Sequence, residues 1–322
     1  MIAVDTDTPA ARNTQPFVSV IIAAYHSAAF LPRCLASLDA QTFRDFETIL
    51  VSSSPDTHTA AVAAAFPSVR FFQNPTRLFP HAARNVGVSM AQGSLLVFTD
   101  ADCEADRGWL ASLVNAHDAG YDIIGGCIES TAARNVSRGI HILKYSPYLR
   151  GKPAGPIFLA ATGNLMVART VWEVAGPFDG SIFCGDALFS WKAREAGFVP
   201  WYLPSAIVID QDEQYRRGFF LERFRRGWEF GRVRADFERW GILRRGIGIA
   251  CMPVAILSTL LKTGRECLRA GRFGDFVATL PFQVAANAAW CAGEAIGYAV
   301  TTNIARGGST RPAAKRMRSA RP

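Results

Sequence analysis

Apolar and polar positions follow two patterns in the first third of the chain. Short runs rich in β-branched and aromatic residues predict buried strands, and stretches with an apolar residue every three or four positions predict helices packed on a sheet. The predicted strands are Phe17–Tyr25, Phe46–Val51, Val69–Gln73 and Leu95–Thr99. Helices are predicted where Leu31, Cys34, Leu35 and Leu38 share one face, and over Thr57–Phe66 and Ala82–Ala91. This alternation predicts an α/β protein with a doubly wound sheet and helices on both faces.

The second half of the chain is patterned less regularly. A strand is followed by a weakly patterned stretch up to Ala160, and then by a helix, a short strand and a long basic amphipathic helix. The ordered elements are predicted over Asp122–Ile128, Gly185–Ala196, Phe198–Leu203 and Arg216–Trp240. Two later segments, Gly246–Leu261 and Phe276–Gly293, contain no charged residue and predict hydrophobic helices.

The ends of the predicted strands carry the candidate chemistry. In an open parallel sheet, ligands bind beyond the carboxyl ends of the strands, which here are Ala24–Tyr25, Ser52–Ser54, Asn74 and Asp100–Asp102. Asp100 and Asp102 can both face that crevice. Their oxygens suit Mg²⁺ or Mn²⁺, and such an ion can bridge the two phosphates of a nucleotide sugar. An Asp-x-Asp pair also occurs by chance and often caps a helix, so its position at a strand end is what favours a metal site.

Further segments accompany the acidic pair in a fixed order. They are Val18–His26, Gln41–Phe43, Asp45–Glu47, Ala83–Gly87, Phe98–Asp102, Gly163–Asn164, Gly176–Asp179 and Gly185–Asp186. Together these segments resemble the family 2 glycosyltransferases of the GT-A fold, over roughly residues 17–240. The resemblance implies a Rossmann-like mixed α/β sheet, here followed by a hydrophobic helical extension. It also implies transfer of a sugar from a nucleotide-diphosphate donor with inversion at the anomeric carbon.

The resemblance also implies roles for individual residues. Asp186 would be the general base that takes the proton of the acceptor hydroxyl, although it can also simply cap its helix. Asp210 stands where the family often places a histidine ligand of the metal, and it can equally be an acid of a surface turn. Arg84 can pair with the diphosphate or cap the preceding turn. The expected nucleotide-sugar contacts are Ala23, Ala24, Tyr25, Ser53, Arg84, Asp100, Ala101 and Asp102, and the expected metal ligands are Asp100, Asp102 and Asp210.

Departures from the family pattern leave the donor and the acceptor open. Ser52–Ser54 replaces the acidic residue that usually contacts the base, which leaves UDP, GDP and dTDP as candidate nucleotides. Gly185 and Leu188 replace carboxylates that are usual near the expected base. The basic helix lacks the Gln-x-x-Arg-Trp sequence of processive synthases, so transfer of a single sugar is expected.

Two other functions compete with a transferase. One is a catalytically impaired scaffold at the membrane that still binds sugar nucleotides, which the replaced acids favour. The other is a nucleotidyltransferase, but those enzymes usually carry a glycine-rich basic phosphate loop after the first strand, where this chain has Ala23–Ser27. Turnover of a nucleotide sugar would separate the transferase from the scaffold.

Charge and composition indicate where the protein acts. The chain of 322 residues has a formal net charge of +8, with ten arginines between Arg216 and Arg245 and six basic residues between Arg306 and Arg321. Such clusters attract anionic lipids or other polyanions, although an arginine-rich face can also be merely solvated. The adjacent hydrophobic helices favour a membrane surface, and we expect no nucleic acid as a partner. The seven scattered cysteines indicate a reducing compartment rather than a disulfide framework.

Membrane helices are expected because basic residues lie before, between and after the two charge-free segments. A spanning hairpin would place one of the three basic groups on the translocated side, against the positive-inside tendency, whereas helices that lie in the membrane interface or re-enter it would not. An ordinary helical subdomain is the remaining alternative. We therefore expect a lipid-linked or glycan acceptor at the cytoplasmic face of the cell membrane. The expected parts of the chain are a disordered lead-in without a signal peptide (1–16), a GT-A domain (17–240, with a nucleotide half at 17–105 and an acceptor half at 106–240), membrane-associated helices (241–305) and a basic disordered tail (306–322).

Overall fold

The computed structural model describes residues 15–55, 57–131, 135–211 and 218–300. The predicted tail and all but the end of the predicted lead-in therefore lie outside the described residues. Within the described ranges the strands are β1 (Val18–Ala24), β2 (Phe46–Ser52), β3 (Val69–Gln73), β4 (Leu95–Asp100), β5 (Cys103–Ala105), β6 (Ile123–Ser130), β7 (Gly155–Pro156), β8 (Asn164–Ala168) and β9 (Trp201–Asp210).

The described strands form one mixed sheet in the order β3-β2-β1-β4-β8-β6-β9-β5, with β7 beside β9. The first four neighbours pair in parallel, as the alternating pattern predicts. β8 then runs antiparallel to both β4 and β6. Buried apolar side chains from the strands and the helices on both faces form one large core. The predicted mixed α/β sheet is confirmed.

Helices cover both faces of the sheet and extend beyond it. The stretch before Ala160, which shows little pattern in the sequence, contains a helix, and each hydrophobic segment of the C-terminal part lies across two helices. The described helices are α1 (Leu31–Asp39), α2 (His58–Ala64), α3 (Pro80–Met90), α4 (Trp109–Asp118), α5 (Asn135–Tyr145), α6 (Arg169–Ala175), α7 (Gly185–Glu195), α8 (Phe219–Phe237), α9 (Ile242–Ala250), α10 (Met252–Arg269), α11 (Phe273–Ala278) and α12 (Leu280–Ala299), with a short 3-10 turn at Ser146–Tyr148.

The short strand predicted at Phe198–Leu203 is wrong in extent, because β9 continues to Asp210. Proline lacks an N–H and is tolerated in sheets at bulges, and here Pro204 lies in a bulge. Leu203 pairs with Gly126, whereas the next residue of β6, Cys127, pairs with Ile207. The strand therefore resumes after the bulge and brings its last residue to the edge of the sheet where ligands are expected.

Asn164 stabilises this bulge. Its Nδ2 atom donates to the carbonyl oxygens of Cys127 and Ala206 at 2.8 and 2.9 Å, and its Oδ1 atom accepts from the indole N–H of Trp109 at 2.9 Å. A Cβ atom at position 126 would lie 2.2 Å from the same Nδ2 atom, so only glycine fits at Gly126. The Nδ2 atom of Asn164 thus holds β6 and β9 together at the bulge, and its Oδ1 atom connects them to α4.

Helices α8 and α12 pack backbone to backbone through four glycines. Gly227 and Gly231 lie one turn apart on α8, and Gly293 and Gly297 lie one turn apart on α12. A Cβ atom at any of the four would lie 2.0–2.5 Å from a carbonyl oxygen of the opposite helix. This small-x-x-x-small spacing allows close approach of helix axes. We call this contact the glycine interface; it joins the C-terminal helices to the basic helix α8.

The C-terminal helices also expose large apolar side chains. Ile242 and Leu243 are 91% and 76% exposed, and Leu257 and Leu261 of α10 are 57% and 60% exposed. By length and composition, no described helix meets the criterion for crossing a bilayer alone, whereas α9 and α10 meet it as a pair bent by 62°.

Candidate active site

A cleft of about 660 Å³ lies at the carboxyl ends of β1, β2 and β4. Elements from the whole described chain contribute to its wall, from β1 to α12. All ten predicted site residues lie on this wall: Ala23, Ala24, Tyr25, Ser53, Arg84, Asp100, Ala101, Asp102, Asp186 and Asp210. The structure therefore brings the predicted residues together in one place, while their individual roles stay predictions.

Three aspartates meet in the cleft because β4 and β9 end there and β5 begins there. Asp100 ends β4, Asp102 lies in the turn before β5, and Asp210 ends β9, where it pairs with Cys103 of β5. The possible ligand atoms of Asp100, Asp102 and Cys103 all lie within 4.8 Å of one another. Asp210 is not part of that trio, but its charge acts on Asp102. It is only 5% exposed, so it is not an acid of a surface turn, and its role as a metal ligand stays a prediction.

Burial and crowding raise the pKa of Asp102. Burial above all, and then the charges of Asp100 and Asp210, raise the pKa of Asp102 to about 7. Because the folded pKa lies above the unfolded one, ionisation of Asp102 lowers the free energy of unfolding as pH rises from about 4 to 7. Burial also raises the pKa of the Cys103 thiol well above its usual range, which makes it a poor ligand. The carboxylates fit Mg²⁺ or Mn²⁺, because a cation would offset their mutual repulsion.

Arg84 contacts the acidic cluster directly. It lies on α3, is 4% exposed, and donates a hydrogen bond from its guanidinium to the Asp100 carboxylate. In the structure its guanidinium is therefore held by Asp100, and its contact with a diphosphate stays a prediction. The ion pair neutralises one of the crowded carboxylates and fixes the Asp100 side chain at the cleft.

Serine hydroxyls connect the loops that follow β1 and β2. Ser54 Oγ accepts from the His26 N–H at 2.6 Å, and Ser52 Oγ accepts from the Ser54 N–H at 3.2 Å. The Ser53 N–H donates to the Ala24 carbonyl oxygen at 3.1 Å. Two of the three serines that replace the usual acid thus hold the loops, and Ser53 is the one that lines the cleft.

Asp186 lies in the first turn of α7, and its Oδ1 atom accepts from the N–H of the next residue, Ala187, at 2.8 Å. The N-cap position of the helix is Cys184, which makes no side-chain capping bond, and Asp186 binds one N–H group of the first turn in its place. Its side chain is 30% exposed, which leaves the carboxylate accessible from the cleft.

His81 fills the space of the carboxylate that Gly185 replaces. A Cβ atom at position 185 would lie 2.7 Å from the His81 ring. The Nε2 atom of that ring lies 3.1 Å from the carbonyl oxygen of Phe183 and 4.0 Å from Asp186 Oδ1. Burial and the nearby Arg84 guanidinium lower the pKa of His81, so the imidazole beside Asp186 is neutral at pH 7.

Helix α8 forms the wall next to Asp186. Glu229 Oε1 accepts from the N–H groups of Phe183 and Cys184 at 2.6 and 3.1 Å, which fixes α8 against the start of α7. Leu188, the second residue that replaces a usual carboxylate, packs with Val233 in an apolar cluster between the two helices. Leu188 therefore contributes to the packing of α7 against α8, at a position where a carboxylate is usual in the family.

Several cleft residues were missed by the sequence analysis. His81 lies three positions before Arg84 and hence on the same face of α3, which is the signal that could have indicated it. Arg77, whose guanidinium lies 4.4 Å over the Tyr25 ring, carries no comparable signal. Arg223, Arg226, Glu229 and Trp290 also line the cleft. Trp290 belongs to α12, and no sequence pattern indicates that this helix reaches the site.

The sequence model of glycosyl transferase family 2 matches residues 19–173, which include β1 to β8 and the acidic pair. The chain carries a family 2 glycosyltransferase domain. The matched part of the domain ends before α7, so Asp186 and Asp210 lie outside it.

Curated glycosyltransferases are similar to part of this chain. Glycosyltransferase AglE of Haloferax volcanii is 28% identical over 194 residues, which cover 58% of this chain and 64% of that protein. The GalNAc(5)-diNAcBac-PP-undecaprenol beta-1,3-glucosyltransferase of Campylobacter jejuni is 26% identical over 119 residues, covering 35% of this chain and 38% of that protein. The chain thus spans less than two thirds of the length of these curated relatives.

The solved structure of the mannosyltransferase PcManGT from Pyrobaculum calidifontis, in complex with GDP-Man and Mn²⁺, resembles the chain over most of its length. The TM-score is 0.55 at 17% sequence identity, and the likeness covers 84% of this chain and 88% of that one. At this identity the likeness concerns the fold. The GT-A architecture predicted for the glycosyltransferase domain is confirmed.

Proposed function

We propose that the chain is an inverting glycosyltransferase that moves one sugar from a UDP-, GDP- or dTDP-sugar to a hydroxyl group of a lipid-linked or glycan acceptor. The supporting observation is that the acidic pair at the end of β4 and the carboxylate at the start of α7 line one cleft. A displacement at an anomeric carbon needs stabilisation of the leaving diphosphate and a base for the incoming hydroxyl. Carboxylates on two separate elements meet both needs.

Each side chain has one task in the proposed reaction. Asp100 and Asp102, with Asp210 beside them, would hold Mg²⁺ or Mn²⁺, which when bound offsets the charge of the leaving diphosphate. Arg84 keeps Asp100 in place. Asp186 takes the proton of the acceptor hydroxyl while that oxygen bonds to the anomeric carbon and the bond to the diphosphate breaks.

Donor binding is expected to depend on the metal and on Asp102. In calorimetric titrations of the full chain with UDP-, GDP- and dTDP-sugars, we expect one donor to bind with Mn²⁺ or Mg²⁺ and not with a chelator. Asp102→Ala should abolish that binding, because the cation loses a carboxylate ligand. Asp118→Ala, an exposed aspartate of α4 away from the cleft, should bind normally. If the folded protein binds no donor with either metal, the proposal is wrong.

The alternative is a catalytically impaired scaffold that binds sugar nucleotides at the membrane. The replaced acids at Ser52–Ser54, Gly185 and Leu188 favour it. A scaffold and a transferase would both bind the donor, whereas only a transferase would move the sugar to an acceptor. Turnover with any lipid-linked or glycan acceptor therefore separates the two.

We also propose that α9 and α10 bind the cytoplasmic face of the cell membrane. Exposed leucines and isoleucines of these helices stand near exposed arginines in the sequence, among them Arg244 and Arg269, whose side chains are each 58% exposed. Apolar side chains in the acyl boundary with arginines among the headgroups are typical of interfacial helices. The name of the Campylobacter relative contains undecaprenol joined through a diphosphate, which supports a lipid-linked acceptor.

Membrane binding is expected to depend on the exposed leucines of α10. In flotation with vesicles of phosphatidylglycerol and phosphatidylcholine, the full chain should float. The double variant Leu257→Glu, Leu261→Glu should bind at least about tenfold more weakly, because two apolar groups no longer enter the bilayer. Val174→Glu, at a 61% exposed position of α6, is the matched control. A wild-type chain that stays in the soluble fraction would contradict the proposal. Deleting residues 246–322 is a poorer test, since it removes Trp290 from the cleft.

A further inference from the structure

Two arginines of α8 point to a second anion site in the cleft. Arg223 and Arg226 lie three positions apart on one face of the helix, and both line the cleft that contains Asp186. The Arg223 guanidinium lies 4.3 Å from the centre of the Trp290 ring, and that of Arg226 lies 5.3 Å from the centre of the Phe183 ring. Aromatic faces thus position two cations at the same wall.

The positive charge of Arg223 is not balanced within the described part of the chain. No carboxylate forms an ion pair with it there, and its buried Nε atom has no hydrogen-bond acceptor. Burial and the neighbouring charge of Arg226 lower the pKa of Arg223 to about 10. Arg234, further along the same helix, contrasts with it because it is paired with Glu238 at 3.0 Å. An anion bound at Arg223 would remove this imbalance.

Arg226 is available for the same anion. Its ion pair is with Glu222, one turn earlier on the helix, and the two side chains are 43% and 53% exposed. Exposed pairs of this kind are weak, so a ligand with greater charge can replace the glutamate. Two guanidinium groups on one helix face match the geometry of a phosphate or diphosphate group.

The position of the pair distinguishes the acceptor end of the cleft from the donor end. Glu229, one turn after Arg226, binds the N–H groups of Phe183 and Cys184, which directly precede α7 and Asp186. The arginines are therefore attached to the side of the cleft that carries the expected base. The acidic pair, where the donor diphosphate is expected, belongs instead to the end of β4.

We propose that Arg223 and Arg226 bind a phosphate or diphosphate group that links the acceptor sugar to a lipid. The phosphate serves to hold the acceptor and does not react; the acceptor hydroxyl remains the nucleophile and loses its proton to Asp186. The rings of Phe183, Phe230 and Trp290 line the same wall and suit the first part of a lipid chain. This inference rests on the proposed function, because it assumes that the donor diphosphate binds at Asp100 and Asp102.

The test uses farnesyl diphosphate as a probe of the second site. The full chain is titrated in the presence of a chelator, so that diphosphate cannot bind through a metal. Arg223→Gln and, separately, the more exposed Arg226→Gln should each weaken binding of farnesyl diphosphate at least about tenfold. Arg225→Gln is the matched control, because Arg225 lies between them on α8, is exposed and does not line the cleft. Farnesol, which lacks the diphosphate, should not distinguish the wild type from the variants.

A second arm separates the acceptor phosphate from the donor diphosphate. UDP, GDP and dTDP are titrated with Mn²⁺ into the same proteins, and the affinity of the one that binds should be equal in the wild type and in Arg223→Gln. Weaker nucleotide binding in that variant would assign the arginines to the donor and overturn the inference. It would also be overturned if wild-type protein bound no farnesyl diphosphate, or if Arg225→Gln weakened binding equally. Failure of the proposed function itself would appear separately, as donor binding that is absent or independent of Asp102.

Discussion

Asp186→Asn is expected to lower kcat by roughly 10²–10⁴-fold while donor affinity stays nearly unchanged. Asparagine has the same shape, and its carbonyl oxygen can still accept the Ala187 N–H, so the start of α7 should be preserved. It cannot take a proton from the acceptor hydroxyl at neutral pH. The change therefore removes an interaction made in the transition state and leaves the ground state nearly as it was. Steady-state rates give kcat, and donor titrations of the same preparation give the donor affinity.

Glu195→Gln is the matched control for this change. It also neutralises a carboxylate of α7, but at the exposed last residue of the helix, away from the cleft. Its kcat should equal that of the wild type. If Asp186→Asn kept full activity, Asp186 would not be the base. If it lost donor affinity as much as kcat, its role would be in binding rather than in proton transfer.

Gly293→Ala is expected to destabilise the protein by about 1–3 kcal/mol, because its Cβ atom would overpack the glycine interface. That atom would lie 2.0 Å from the carbonyl oxygen of Phe224, a backbone atom that can move only if α8 and α12 separate. In thermal unfolding at a fixed scan rate we expect the midpoint to fall by about 2–4 °C.

Gly246→Ala introduces the same methyl group without the collision. Gly246 lies inside α9, and a Cβ atom there would meet nothing within 4 Å. Alanine is the better helix former, so this variant should be unchanged or more stable by about 0.5–1 kcal/mol. Equal effects of the two substitutions would mean that the glycine interface does not form as described.

The parallel part of the sheet and the acidic pair could be predicted because their signals are local. β1, β2 and β4 are buried on both faces and therefore appear as continuous apolar runs, and their carboxyl ends mark the ligand edge without further information. Asp100 and Asp102 could be predicted as site residues because they stand at the carboxyl end of β4. The cleft wall formed by the first half of the chain was accordingly the part predicted best.

The rest depends on contacts between distant residues. Pro204 lacks the N–H group of a strand residue, so the local sequence predicts that the strand ends there. β9 continues through a bulge instead, and Asn164, forty positions earlier, stabilises that bulge through the Ala206 carbonyl oxygen. The loss of a carboxylate at Gly185 suggested decay of the site, whereas the space is filled by His81 from α3. Glycines in a helix lower its propensity, and no local pattern shows that Gly227 pairs with α12.

The glycine interface also determines when the cleft can be completed during synthesis. A ribosome releases the chain from its amino end, and domains generally fold in that order. The strands that carry the acidic pair emerge long before α12, which supplies Trp290, the last cleft residue among those that the structure describes. Until α12 has been translated, the glycine face of α8 has no helix to pack against and Arg223 has no aromatic ring beneath it. On the proposed assignment of Arg223 and Arg226, the acceptor side of the cleft is therefore complete only once α12 has been made.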